Sequence, residues 1–178
     1  MTSKYRPASP VRAVAQDIIR DYHAHLIRNA VYVVYLFVDE AEKVKGKTVL
    51  GTARKTSGLN AYLARMEDEL DGGDPDFFVV TIWDGFWFDR HTTDEQRRAL
   101  VDHELSHLWS EQEEDRQGNT TGKILLSIKG HDLEEFNCIV ERYGDWKPDI
   151  TAFLEAAADG PQLTLPELQE RCQKRSRA

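Results

Sequence analysis

The sequence predicts an α+β fold built around one main domain, and three observations lead to this prediction. Apolar residues recur at three- and four-residue spacing over positions 11–26, which indicates an amphipathic helix. Two segments rich in β-branched and aromatic residues, 31–38 and Phe77–Trp83, indicate strands. A second helix should begin after Thr92, because Glu95 three residues later would complete a capping box. We therefore expect a small mixed sheet packed on helices.

The first half of the chain supplies the sheet and the first helix. Ser9 should cap that helix, with Pro10 at its first position. The segment 31–38 shows no polar alternation, so we expect a strand covered on both faces. Lys45 and Gly46 indicate a turn before another strand over 48–55.

The second half of the chain is expected to be mainly helical. The helix after Thr92 should reach Trp109 or slightly further, and the polar segment 111–122 should form a loop. Further helices are expected over 133–143 and 149–158. We place the main domain at residues 1–158, followed by a tail at 159–178 that contains a short helix.

Composition excludes several classes of protein. The 178 residues carry 23 basic and 31 acidic side chains, a net charge of −8, so general nucleic-acid binding is not expected. The basic end of the tail, from Lys174 to Arg177, is the one place where a nucleic acid could bind. The longest apolar run has eight residues, too few for a membrane helix. Two cysteines and a polar N-terminal segment favour a cytoplasmic protein without a disulfide framework.

The segment from His103 to His107 is an H-E-x-x-H motif on the predicted second helix. Residues four apart on a helix differ by about 40° in direction and about 6 Å in height, so both imidazoles can reach one metal ion. Catalytic zinc sites use three protein ligands and a water molecule. Glu104, between the two histidines, could take a proton from that water and return it to a leaving amine.

The third ligand is open between a histidine and several carboxylates. His131 lies 24 residues after His107 and, at the predicted start of a helix, could complete the site. The alternatives are Glu134, Glu135 and Glu141. The metzincin pattern is excluded, because its further glycine and histidine positions hold other residues here.

The motif together with the segment 130–136, Gly-His-Asp-Leu-Glu-Glu-Phe, resembles the metallopeptidases of phages and prophages. It is more distantly similar to SprT-like zincins, and the likeness extends over about 31–143. The resemblance implies a zincin-type fold with Zn²⁺ on His103, His107 and His131, and with Glu104 as the base. Asp132 stands where SprT-like proteins have a glycine, and no cysteine-rich zinc ribbon follows, so their role in DNA–protein crosslink repair is not expected.

The sequence therefore predicts a zinc metallopeptidase that acts on a protein or peptide substrate and has no membrane partner. The strand Phe77–Trp83 could offer an edge on which an extended peptide binds. Two other hypotheses stay open. One is a different zinc hydrolase, such as an amidase. The other is a non-catalytic, phage-type anti-defence or binding protein with a structural or degenerate zinc site.

Overall fold

The computed structural model describes residues 4–56, 58, 76–131, 145 and 148–159. The chain divides into two compact units, residues 1–130 and residues 131–178. The domain boundary expected after residue 158 stays a prediction. The described residues mix helices with small sheets, so the predicted α+β class is confirmed.

A four-stranded mixed sheet forms the centre of the first unit. Its strands are β1 (Tyr5–Pro7), β2 (Val33–Val38), β5 (Gly51–Thr56) and β6 (Phe77–Trp83), in the spatial order β1-β2-β6-β5. β2 and β6 are parallel, and the two outer strands are antiparallel to their neighbours. The prediction that Phe77–Trp83 forms an edge is wrong, because hydrogen bonds from β2 and β5 occupy both of its sides. The edge next to it is β5.

A small hairpin, β3 (Lys43–Val44) and β4 (Lys47–Thr48), precedes β5. Its turn lies at Lys45 and Gly46, as predicted, and both residues have positive φ. Glycine adopts positive φ without steric cost, which explains its place in the turn. The strand expected over 48–55 therefore begins only after this hairpin.

One face of the sheet carries the core of the first unit. The first helix, α1 (Ser9–Tyr22), and the motif helix, α4 (Asp94–Ser106), pack together and contribute Val11, Ile18, Val101 and Leu105 to it. The buried sheet residues include Phe37, Phe78, Val80 and Ile82. β2 alternates between buried and half-buried positions, so the expectation that both of its faces are covered is wrong. Apolar side chains of this size each stabilise a fold by about 1.5–3 kcal/mol when fully buried.

The first predicted helix is divided in two by the structure. α1 ends at Tyr22, and a short helix α2 (Ala24–Arg28) follows after His23. His23 has φ −122° and ψ 43°, outside the helical region, so it separates the two helices. Ala8 is the N-cap residue, and Ser9 and Pro10 are the first two helical residues, so the predicted serine cap is wrong. A third short helix, α3 (Asp84–Trp87), directly follows β6.

A β-hairpin, and not a loop, follows the motif helix. β7 (Leu108–Glu114) pairs with β8 (Thr120–Ile128), which corrects the predicted loop over 111–122. The sequence is polar here because most side chains of the hairpin are exposed, while Leu108 and Ser110 face inward. At the tip, hydrogen bonds from the backbone and side chain of Asn119 lower the pKa of Asp115.

The second unit contains one helix among the described residues, α5 (Pro148–Asp159), which confirms the helix predicted over 149–158. The helix predicted over 133–143 and the tail after Asp159 lie outside the described residues. None of the described helices is both long enough and apolar enough to cross a membrane.

Candidate metal centre

The motif helix α4 is fixed at its start by a capping box. The side chain of Thr93 accepts a hydrogen bond from the Gln96 amide, and the Gln96 side chain accepts one from the Thr93 amide. The predicted box on Thr92 and Glu95 is therefore shifted by one residue. The helix that this box was predicted to begin is nevertheless present, and His103 and Glu104 lie near its end.

His107 lies one residue beyond the last helical residue, Ser106, and has φ −71° and ψ −21°. The predicted extension of the helix to Trp109 is wrong, since β7 begins directly after His107. The near-helical backbone still places the two histidines side by side. Their ring centroids are 5.1 Å apart and the rings are nearly perpendicular.

The orientation of the His107 ring is set by a hydrogen bond. Its Nδ1 lies 2.7 Å from the carbonyl oxygen of Lys129. A carbonyl can only accept a hydrogen bond, so Nδ1 carries the proton and Nε2 carries the lone pair of the neutral ring. Histidine ligands of metals are commonly oriented by such a bond from the second ring nitrogen.

His131 is brought to the histidine pair by the end of the hairpin. The Lys129 amide donates a hydrogen bond to the His107 carbonyl at 2.8 Å, and His131 follows two residues later. His103, His107 and His131 each offer one nitrogen, and these atoms all lie within 4.8 Å of one another. His107 is half-buried and the other two are exposed, so the group is open to solvent. Glu134, Glu135 and Glu141 lie outside the described residues.

Glu104 is buried between α4 and the edge strand β5, with 4% of its surface exposed. A Cβ atom at Gly51 would lie 2.6 Å from the Oε1 atom of Glu104, so only glycine leaves room for this carboxylate. Among the described residues, no group donates a hydrogen bond to it. Burial raises the pKa of Glu104 to about 7, and the positive charge that the His107 ring carries when it is protonated partly opposes this rise.

The three nitrogens suit a divalent transition metal such as zinc. Tetrahedral zinc binds imidazole nitrogens at about 2.0–2.1 Å, which places the nitrogens about 3.4 Å from each other. The observed spread is compatible with that spacing after small side-chain rotations. The neighbouring carboxylate, buried without a donor from the described residues, is the kind of group that a bound ion and its water would satisfy.

The sequence did not point to two histidines that lie behind the motif. Because they lie two residues apart on a predicted helix, His23 and His25 are predicted to face different directions and not to bind one metal ion together. The structure places the Nε2 atom of His23 2.8 Å from Oδ1 of Asp102, and that of His25 3.1 Å from the Leu108 carbonyl. A spacing of two residues at the end of a helix gives no signal for these contacts, which join residues about 80 positions apart.

The sequence offers further candidates for the site, with Asp102, Trp109 and Asp132 as partners that orient a ligand imidazole and with His91 or Tyr143 as donors to an oxyanion. Asp102 and Trp109, considered as residues that orient a ligand, contact His23 and His25 respectively. The His91 ring accepts a hydrogen bond from Arg90 on the exposed surface. Tyr143 and Asp132 lie outside the described residues.

From the sequence, Trp87 is a candidate for lining a substrate pocket, because it is predicted on a loop near the motif helix, whereas Trp83 is expected in the core or at its rim. Trp87 is buried against Phe37, so it belongs to the core. Trp83 lines an open groove of about 300 Å³, together with Leu36, Thr52 and Val79. None of the three histidines lines this groove.

The fold and the site together define an α+β protein with an H-E-x-x-H helix and a third histidine beside it. Comparison with known families then identifies the group to which it belongs. The family model "Putative phage metallopeptidase" matches residues 3–158, so the chain belongs to this family. No curated protein and no solved structure was found to match the chain.

Proposed function

We propose that the protein is a zinc-dependent metallopeptidase whose metal ligands are His103, His107 and His131 and whose general base is Glu104. The observation that carries the proposal is the cluster of three imidazole nitrogens together with the buried carboxylate of Glu104, which lies on the same helix as the first of these histidines. The family to which the chain belongs supports it. A purely structural zinc site is normally closed by four protein ligands, and only three are found among the described residues.

The residues divide the chemistry between them. A bound zinc ion would lower the pKa of a water molecule and polarise the carbonyl of the scissile peptide. The Glu104 carboxylate accepts a proton from the attacking water and donates it to the leaving amine. In the metal-free chain, burial raises the pKa of Glu104 to about 7. A bound cation would favour the ionised carboxylate, which is the form that accepts the proton.

The edge strand β5 is the natural place for a peptide substrate. Among the described strands only β6 pairs with β5, so its other side can add a further strand. Gly51, in this strand, lies directly against Glu104. A peptide that pairs with β5 would therefore run next to the base, which favours extended protein or peptide segments as substrates.

Cleavage of a denatured protein mixture, followed by mass spectrometry of the new termini, tests the proposal. Zinc-loaded wild-type protein should produce new peptide termini, and Glu104→Gln should reduce their rate of formation by on the order of 10³-fold or more. The variant should still bind zinc, since it retains all three histidines. Cleavage that is unchanged in Glu104→Gln would refute the assignment of the base.

The ligand set is tested separately by elemental analysis of untagged protein. Wild type should hold about one zinc per chain, and His131→Ala should hold much less. A normal zinc content in His131→Ala would show that the third ligand is a glutamate instead. Substitution of Glu134, Glu135 and Glu141, one at a time, would then identify it. A chain that binds zinc and supports its biological role with Glu104→Gln in place would be a binding protein and not an enzyme.

A further inference from the structure

His23 and His25, which we call the histidine bracket, hold the motif helix at both ends of the H-E-x-x-H segment. Nε2 of His23 contacts Oδ1 of Asp102, the residue immediately before the first motif histidine. Nε2 of His25 contacts the carbonyl of Leu108, the residue immediately after the second one. Two side chains separated by one residue therefore contact both sides of the motif, His23 through the Asp102 side chain and His25 through the Leu108 backbone.

The contacts of His25 extend through two further residues to His107, one of the proposed metal ligands. The His25 ring packs on the Trp109 indole with centroids 5.0 Å apart, and Nζ of Lys129 lies 3.7 Å from the centroid of that indole. The carbonyl of the same lysine accepts the hydrogen bond from Nδ1 of His107. A continuous series of contacts thus runs from His25 to the ring that would bind the metal.

His107 needs contacts from outside the motif helix, because the helix ends one residue before it. His107 lies beyond Ser106, so the helical hydrogen-bond ladder alone does not fix its ring. The His23 ring is buried, with 8% of the residue exposed, whereas 41% of the Asp102 side chain is exposed, so this hydrogen bond lies at the boundary between the core and solvent. His25 is also tied through its carbonyl, which accepts a hydrogen bond from the Ser110 hydroxyl at 3.3 Å.

We propose that His23 and His25 are positioning residues that hold the motif in the geometry required for metal binding, without binding the metal themselves. This inference rests on the proposed function, since it assumes that His103 and His107 are ligands. Loss of a group bonded directly to a metal ligand typically weakens metal affinity 10- to 100-fold. His23 and His25 act through an intervening residue, so we expect an effect at the lower end of this range. Each of the two histidines should therefore show a measurable effect on zinc affinity.

The experiment measures zinc affinity by competition with a chromophoric chelator, and the visible absorption spectrum of the cobalt-substituted protein. His25→Ala and His23→Ala should each weaken zinc binding by about tenfold or more and alter the cobalt bands, which report ligand geometry. Gln can donate from a nitrogen close to the position of Nε2. His25→Gln and His23→Gln should therefore bind zinc more tightly than the alanine variants, and they serve if an alanine variant does not fold.

Two control variants separate positioning from general stability. Leu26→Ala removes a buried apolar side chain of α2 that has no hydrogen bond to the motif, so it should lower thermal stability but leave zinc affinity unchanged. His91→Ala removes an exposed imidazole and should change neither. If all bracket variants bind zinc as wild type does, with unaltered cobalt spectra, the inference is overturned while the proposed function stands. A wild-type chain that binds no metal would overturn both, and these two results are distinct.

Discussion

Glu104→Gln should stabilise the metal-free protein in a way that depends on pH. Burial raises the pKa of the Glu104 carboxyl from 4.5 to about 7 in the folded chain, a shift worth about 3 kcal/mol at about 1.4 kcal/mol per unit. The stability that the neutral carboxyl contributes is fully present below pH 4.5 and is lost as the pH rises through 7. Glutamine stays neutral over this whole pH range, so the folded variant keeps this stability when the pH rises.

Urea unfolding in the presence of a chelator, from about pH 4.5 to about pH 8, measures this difference. The variant should equal wild type at the acid end and exceed it by about 3 kcal/mol at the alkaline end. Glu40→Gln, at an exposed position, should follow wild type at every pH. Parallel curves for Glu104→Gln and wild type would refute the argument that burial of this carboxylate is costly.

Three further predictions concern other parts of the first unit. Gly51→Ala should displace the Glu104 carboxylate and, if this group is the base as proposed, lower peptidase activity by on the order of 100-fold with zinc content retained. In Gly130→Ala the new Cβ would meet no described atom within 4 Å, so activity should not change. Ala30→Gly should stabilise the fold by up to about 1 kcal/mol in urea unfolding, since Ala30 has φ 49°, whereas Ala13→Gly within α1 should destabilise it by about 1 kcal/mol. Burial raises the pKa of Tyr35 from 10 to about 12, so wild type should lose about 3 kcal/mol relative to Tyr35→Phe as the pH rises through this interval.

The parts of the fold that the sequence predicts well are those with strong local patterns. The strand Phe77–Trp83 is found where its β-branched and aromatic composition predicts it, and the turn at Lys45 and Gly46 is found where the glycine predicts it. The motif histidines meet because a four-residue helical spacing brings any two side chains together. His131 was found by its residue type and the resemblance, and its approach to the pair depends on the hairpin.

The errors arise where tertiary contacts override local patterns. The segment 111–122, which includes most of β7 and the start of β8, is polar and mostly exposed. Nothing in its composition separates it from a loop, and only the pairing of β7 with β8 makes it part of two strands. β6 could not be identified as a central strand, because strand order depends on contacts between distant segments. His23 interrupts a continuous amphipathic pattern to reach Asp102, a contact that no local rule anticipates.

The β7–β8 hairpin closes on itself at its base, where the His107 and Lys129 backbones are hydrogen-bonded. The geometry at the base therefore does not depend on the length of the two strands. Two residues added to each strand would move the tip outward by about 7 Å and leave the base as it is. Relatives with longer or shorter hairpins can thus share this centre while their second and third histidines differ widely in separation along the chain. A search for such relatives should anchor the third histidine to the end of the returning strand and leave the count of intervening residues open.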